Sequence, residues 1–164
     1  MILLTNVILL FLTLITKVIR KWKVYYSTLL FVPMVNGLYN TLCADKLPWS
    51  YEDSLLSHKA IEMLDTLILL PGTTILYLHF YPQNNYKQLY YLGWIAVYTA
   101  VEYTWHLGGH IQYEHGWNLY WSLLFYFAMF LAVRLHQTRA IAAWCFSIAY
   151  TSFLMAVFDI SLFD

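Results

Sequence analysis

Charge is what this chain has little of. Only 11% of its 164 residues are Asp, Glu, Lys or Arg, while 61% are hydrophobic and 20% aromatic; soluble domains carry roughly 25% charged residues. So little charge excludes an ordinary soluble domain and places the chain in a bilayer. The nine basic and nine acidic side chains cancel to a formal net charge of zero. No basic run on a polar background offers a track for phosphates, which excludes nucleic-acid binding. Cysteine is scarce as well. Cys43 and Cys145 fall near opposite ends of separate segments, too far apart for a bridge whose Cα atoms lie within about 7 Å, so both read as small buried hydrophobes. No Ser-His-Asp order, phosphate-binding glycine loop or haem motif occurs. Nor is there a low-complexity linker, so residues 1–164 read as one transmembrane domain.

What the chain has instead is a series of apolar runs. A spanning helix needs about 20 mostly apolar residues. Six segments qualify or nearly do: 2–18, 25–43, 61–80, 87–106, 117–135 and 140–160. The sequence therefore predicts an all-α, polytopic bundle of about six transmembrane helices. The first segment has no basic residue before its apolar stretch and a basic cluster after it, the reverse of an export signal. Lys17, Arg20, Lys21 and Lys23 follow that segment, Lys87 opens the fourth, and Arg134 and Arg139 separate the last two. Short cytoplasmic loops carry such an excess. The connection 44–60 holds Asp45, Glu52 and Asp53 against Lys46 and Lys59, and 107–116 has no Lys or Arg. Both should be external, with both termini, in a multi-pass protein of the cell membrane surrounded by lipid.

The ionisable residues gather near one end of these spans. Glu62, Asp65, Glu102, His106, His110, Glu114, His115 and Asp159 all fall there, and ionisable groups inside a membrane are costly and face cavities or one another. Glu102, His106 and His110 are four apart, so they share a helix face if the helix passes Gly108 and Gly109. Tyr98 lies one turn below Glu102, where its hydroxyl could orient the carboxyl, and desolvation would adapt that carboxyl to acid or base chemistry. The plain alternative is a carboxyl that ties neighbouring helices together. Glu62 and Asp65 share a face of the third segment. Below them Pro71 cannot donate to the carbonyl of Leu67, which predicts a kink near mid-membrane, eased by Gly72, with Thr73 and Thr74 at the break. Asn36, Asn40, Trp117 and Asp159 lie at the depth of the acids, as candidate contacts to a substrate. The surrounding Trp and Tyr residues form either an interfacial belt or a wall suited to a cationic headgroup or carbocation.

His106, His110 and His115, with Glu102 and Glu114, suffice in number for a divalent metal, though no signature such as H-E-x-x-H is present. The plainer reading is a set of external histidines meeting headgroups and water.

Asp65 to Pro71, Tyr77 to Pro82, the lone Glu102, and the run Gly116-Trp117-Asn118-Leu119-Tyr120-Trp121-Ser122 resemble a family of small multi-spanning membrane proteins of spore-forming Gram-positive bacteria. Its members carry an Asp before a mid-helix Pro, an isolated intramembrane Glu, and a Gly-Trp followed by an aromatic-Ser pair. The likeness covers the central third to half of the chain. The family is uncharacterised, so the resemblance implies membrane placement and points to Asp65, Glu102 and Trp117 without supplying an activity. His106, His110 and His115 lie outside its pattern.

These features suggest an integral-membrane enzyme or binder for a lipid or isoprenoid-like substrate at an outward-facing site. Glu102, Asp65, Glu62 and His106 are its candidate catalytic groups, and Asn36, Asn40, Tyr98, Trp117 and Asp159 its candidate binding groups. One alternative is an oligomeric channel or proton-coupled carrier, with the same side chains along a wet path. Another is a structural subunit of a larger membrane complex.

Overall fold

The computed structural model describes residues 1–53 and 55–160. Helix α1 (Ile2–Ile15) is followed, after a 3-10 turn at Val18–Lys21, by α2 (Trp22–Leu42). Helices α3 (His58–His79), α4 (Lys87–Leu107), α5 (Leu119–Thr138) and α6 (Ala140–Val157) complete an all-α bundle. Each predicted segment has become a helix, with ends displaced by at most three residues. Local chemistry sets several boundaries. Ser57 accepts the Ala60 N–H at the start of α3, and Asn118 accepts those of Tyr120 and Trp121 at the start of α5, satisfying donors that a helix start leaves free. Gly109, at φ 72°, takes the left-handed backbone that ends α4.

Three helices, α3, α5 and α6, are each long and apolar enough to cross a membrane; α1 and α2 qualify only as a pair, bent by 71° at the break between them. The bundle exterior is apolar. Leu4, Phe11, Leu30, Met34, Leu67, Leu89, Leu131 and Ile148 all stand exposed, at least one on every helix, an apolar exterior suited to lipid. Cys145 belongs to this outer surface, contrary to its reading as a buried hydrophobe, and Cys43 is buried; both are free thiols.

The third helix does not break at Pro71. A π turn over Asp65–Leu69, closed by the Leu70 N–H on the Asp65 carbonyl, leads α3 into its last ten residues, Leu70–His79. A π turn widens the backbone by one residue and so accommodates the proline ring without a break. Gly72 serves close approach rather than flexibility. A Cβ there would lie 2.9 Å from Leu9 Cδ2, so its bare backbone lets α1 settle on α3.

Contacts along the helices give their directions. Asn6 meets Asp65 while Val18 meets Ile75 and Leu76, so α1 runs with α3. Asn36 bonds Thr66 and Phe31 packs with Tyr77, so α2 runs against it. Tyr77 stacks on Tyr90, and Thr73 bonds Tyr98; α4 thus opposes α3, with large side chains filling the space between. Trp117 and Phe158, 5.2 Å apart, join the start of α5 to the end of α6. Over that end lies a feature the sequence reading missed, a two-stranded antiparallel ribbon. Strand β1 (Trp49–Tyr51) pairs with β2 (Ile111–Tyr113), Ser50 opposite Gln112. The bond from Glu52 N–H to the His110 carbonyl and that from Glu114 N–H to the Pro48 carbonyl extend it.

Candidate functional site

Beneath the ribbon the helices enclose a cavity of about 340 Å³, inside the roughly 300–1,000 Å³ range of small-molecule sites. Seven of the sequence candidates line it: Asn36, Asn40, Glu62, Asp65, Tyr98, Glu102 and Trp117. They arrive from α2, α3, α4 and the approach to α5. The π turn begins at Asp65, one of the three acids, with Glu62 and Glu102, that line this space.

The two buried carboxyls are held by neutral donors. Asn6 Nδ2 donates to Asp65 Oδ1 at 3.0 Å. Glu102 accepts from Tyr113 on one oxygen at 2.7 Å and from Tyr126 on the other. A phenol on each oxygen fixes the carboxyl plane, and the carboxyl accepts twice while donating nothing. Asp65 is 7% and Glu102 8% exposed, yet among the described residues no Lys or Arg lines the cavity. The site therefore holds acids without a countercharge.

The hydrogen bond expected between Tyr98 and Glu102 is replaced by another. Tyr98 lies 2.5 Å from Thr73 Oγ1 and packs edge-on against Tyr126, because α3 offers it a hydroxyl at that level. Thr73 lines the cavity, whereas Thr74 is buried outside it. Asn36 donates to Thr66 Oγ1 at 2.8 Å, and Trp117 Nε1 to Ser122 Oγ at 2.8 Å. Trp49 and Trp117, with centroids 5.1 Å apart, form an aromatic wall continued by Phe125. At the polar end Tyr51 stands near both acids: burial, and then the Asp65 carboxylate, push its pKa well above the usual 10.0. Tyr113 is likewise raised by burial and by its bond to Glu102. Both phenols therefore stay protonated as donors at neutral pH.

Other candidates lie outside the cavity lining. His106 Nδ1 is 3.0 Å from the Ile111 carbonyl and its ring stacks on Tyr113, so it supports the ribbon. Asp159 is exposed, and its carbonyl accepts from Lys46 Nζ. His110 sits 3.8 Å from Asp53, and His115 3.9 Å from Glu114. Since α4 ends before Gly108, His106 and His110 do not continue on one helix face, and the metal arrangement expected of His106, His110 and His115 does not form. Among the described residues no group of three His, Cys, Asp or Glu side chains is placed to hold a metal ion. Glu62 lines the cavity and lies 3.5 Å from His58.

A smaller cavity of about 80 Å³ adjoins, sharing Asn36, Leu70, Phe125 and Met129 with the first. The Tyr39 and Tyr150 hydroxyls on its wall have no hydrogen-bond partner among the described residues.

Compared with family models, curated proteins and solved structures, the chain matches none. Its function has to be read from the cavity.

Sequence reasoning missed Asn6, Trp49, Tyr51, Ser122 and Tyr126. Asn6 had a signal, as a lone amide in an otherwise apolar run. Trp49-Ser50-Tyr51 and Ile111-Gln112-Tyr113 had one too, since both alternate bulky β-formers around a polar residue.

Proposed function

We propose that the chain is a six-span membrane protein that holds a lipid or isoprenoid-like molecule in the larger cavity, as a binder or as an enzyme acting on it. The observation that carries this reading is the division of the cavity wall. Asp65, Glu102 and Tyr51 lie toward the ribbon, whereas Leu12, Leu70 and Leu76 line the depth beneath. A molecule with one polar end and a hydrocarbon body matches such a wall. Glu102 and Asp65 are the acid, base or headgroup contacts. Tyr113 and Tyr126 orient the first of them and Asn6 the second.

The basic side chains of 17–23, Arg134 and Arg139 lie at the end opposite the ribbon, which the positive-inside rule assigns to the cytoplasm. The ribbon and the polar end of the cavity then face outward, as does the start of α1. Packing below the cavity counts against a channel or carrier. There Tyr77, Tyr90, Trp94 and Phe130 fill the interior ring against ring, leaving little room for a polar path.

Native mass spectrometry of the purified protein tests the reading, with lipid extraction to identify any bound mass. A stoichiometric lipid or isoprenoid species is expected, reduced in Glu102→Gln and Asp65→Asn. Unchanged retention or turnover in both variants would overturn the assignment of these carboxyls. Orientation has its own test: a cysteine replacing Glu114 should react with an impermeant maleimide added outside intact cells, and one replacing Arg139 should not.

A further inference from the structure

We infer that the ligand is a cationic amphiphile, with an amine or quaternary ammonium head held between Asp65 and Glu102 and a hydrocarbon tail that leaves sideways between α1 and α4. The inference rests on the reading of the cavity as a lipid site and assigns the ligand's chemical class and its way in.

The charge argument comes first. Two carboxyls, 7% and 8% exposed, line a space to which no Lys or Arg contributes among the described residues. Their partners are an amide and phenols, which donate hydrogen bonds without bringing positive charge. Buried anions are stable when something cationic shares their site. Lys46 stands at the same end of the bundle but donates to the Asp159 carbonyl. A ligand cation would supply what the protein leaves out. An anionic head would meet the Glu62, Asp65 and Glu102 carboxyls and no Lys or Arg among the described residues, and a neutral head would leave the buried pair without a cation.

The walls agree with this charge. Trp49, Trp105, Trp117 and Tyr51 line the cavity together with the acids, and indole and phenol faces attract ammonium groups, most strongly when water is excluded. A bare metal ion is a poor alternative, because no three ligating side chains converge among the described residues.

Shape supplies the tail. Ile8 and Leu12 on α1 and Val97 on α4 all line the cavity, yet they are 49%, 44% and 55% exposed on the outside of the bundle. Side chains that belong to both surfaces mark an opening. It lies on the apolar flank between α1 and α4, while Trp49, Tyr51 and Ile111 of the ribbon cover the polar end. A single-chain amphiphile could therefore enter from the bilayer with its tail still among lipid tails.

The test uses the full chain in a neutral maltoside detergent and three probes with the same tail: dodecyltrimethylammonium, dodecanol and dodecyl phosphate. One-to-one complexes are counted by native mass spectrometry, and affinities are taken from tryptophan fluorescence. The cationic probe is expected to bind at least about tenfold more tightly than the other two, a difference that Glu102→Gln and Asp65→Asn should each largely abolish. Val97→Trp, which fills the side opening, should weaken all three probes. Should Glu102→Gln fail to fold, Trp49→Leu, which leaves both carboxyls in place, must still lower the cationic preference. Equal or tighter binding of the neutral or anionic probe overturns the cationic assignment; if Val97→Trp still weakens that binding, the lipid-site reading stands. Saturable binding of none of the probes overturns both.

Discussion

Tyr113→Phe isolates the bond that fastens the ribbon to the helices. Tyr113 lies on β2 and donates to Glu102 on α4 at 2.7 Å, so the substitution removes one hydroxyl and little packing. A hydrogen bond to a charged group contributes about 1.5–3 kcal/mol in soluble proteins, and interhelical hydrogen bonds in membranes average about 0.6 kcal/mol. Tyr113 is half-buried at the bundle end, where water can partly replace it, so a loss of about 1 kcal/mol is expected. That corresponds to roughly a fivefold rise in the open population of the ribbon. Hydrogen exchange reads it directly at the Glu52 and Glu114 amides, which bond to the His110 and Pro48 carbonyls. Both should exchange about fivefold faster while amides in the middle of α6 keep their rate, since the opening is local. In Glu102→Gln the same Tyr113 change should cost less, because the two partners form one unit. Unchanged exchange at Glu52 and Glu114 would show that apolar contacts and the His106 bond to Ile111 hold the ribbon without Glu102. Equal acceleration in α6 would show that the bond supports the whole bundle, and the pin would be refuted either way.

Other residues give sharper single readings. Trp117→Phe should destabilise the fold by about 1–3 kcal/mol by leaving buried Ser122 without its donor, and thermal denaturation should show Ser122→Ala recovering part of that loss in the double variant. Gly72→Ala should cost less than about 1 kcal/mol, because its Cβ would press on the Leu9 side chain, at 2.9 Å from Cδ2 and 3.3 Å from Cγ, which can give way while α1 stays seated. Gly72→Ile should cost about 1–3 kcal/mol by forcing α1 off α3, seen as a lower Tm and faster proteolysis of α1. Asn6→Leu should loosen α1 by removing the donor to Asp65, and faster exchange confined to 2–15 would report it. High pH should release the ribbon. The raised pKa values of Tyr51 and Tyr113 make their contribution complete below the unfolded value of about 10 and lost as pH rises through the folded values. Trp49 fluorescence should hold to about pH 10 and change above it, with a smaller change in Tyr113→Phe.

How much of this was legible depended on whether a signal was local. Helix positions were local. Runs of Leu, Ile and aromatics interrupted by Lys17 to Lys23, Tyr81 to Asn85 and Arg139 leave few other places for the elements to begin and end. The shared depth of Asp65, Glu102, Asn36, Asn40 and Trp117 was legible for the same reason, since distance along a helix converts directly into depth. Partners were not legible. Tyr98 is well spaced for Glu102 on its own helix but bonds Thr73 on another, and Glu102 takes its donors from the ribbon and α5. Pro71 spoke for a kink or break, but the π turn immediately before it, which keeps the helix continuous, leaves no local mark in the sequence. The histidines misled because Gly108 and Gly109 end α4 between them, and glycine in a helical pattern reads as either tolerated or terminal until a neighbour decides.

Several polar side chains inside this apolar bundle are paired between helices. Thr28 lies 2.9 Å from both His136 Nδ1 and Gln137 Oε1, Asn36 bonds Thr66, and Thr73 bonds Tyr98. Each is a neutral tie of the kind that holds membrane helices where hydrophobic burial no longer distinguishes protein from lipid. Packing needs account for them fully. Asp65 and Glu102 also tie helices, through Asn6 and Tyr126, but a Gln or Asn would make those bonds without the cost of a charge. Ionisable groups at the wall of a cavity, where amides would have sufficed for the fold, imply a demand that the fold itself does not make. That excess, rather than burial alone, is the reason to look for a ligand at Asp65 and Glu102 and for none at Thr28 and His136.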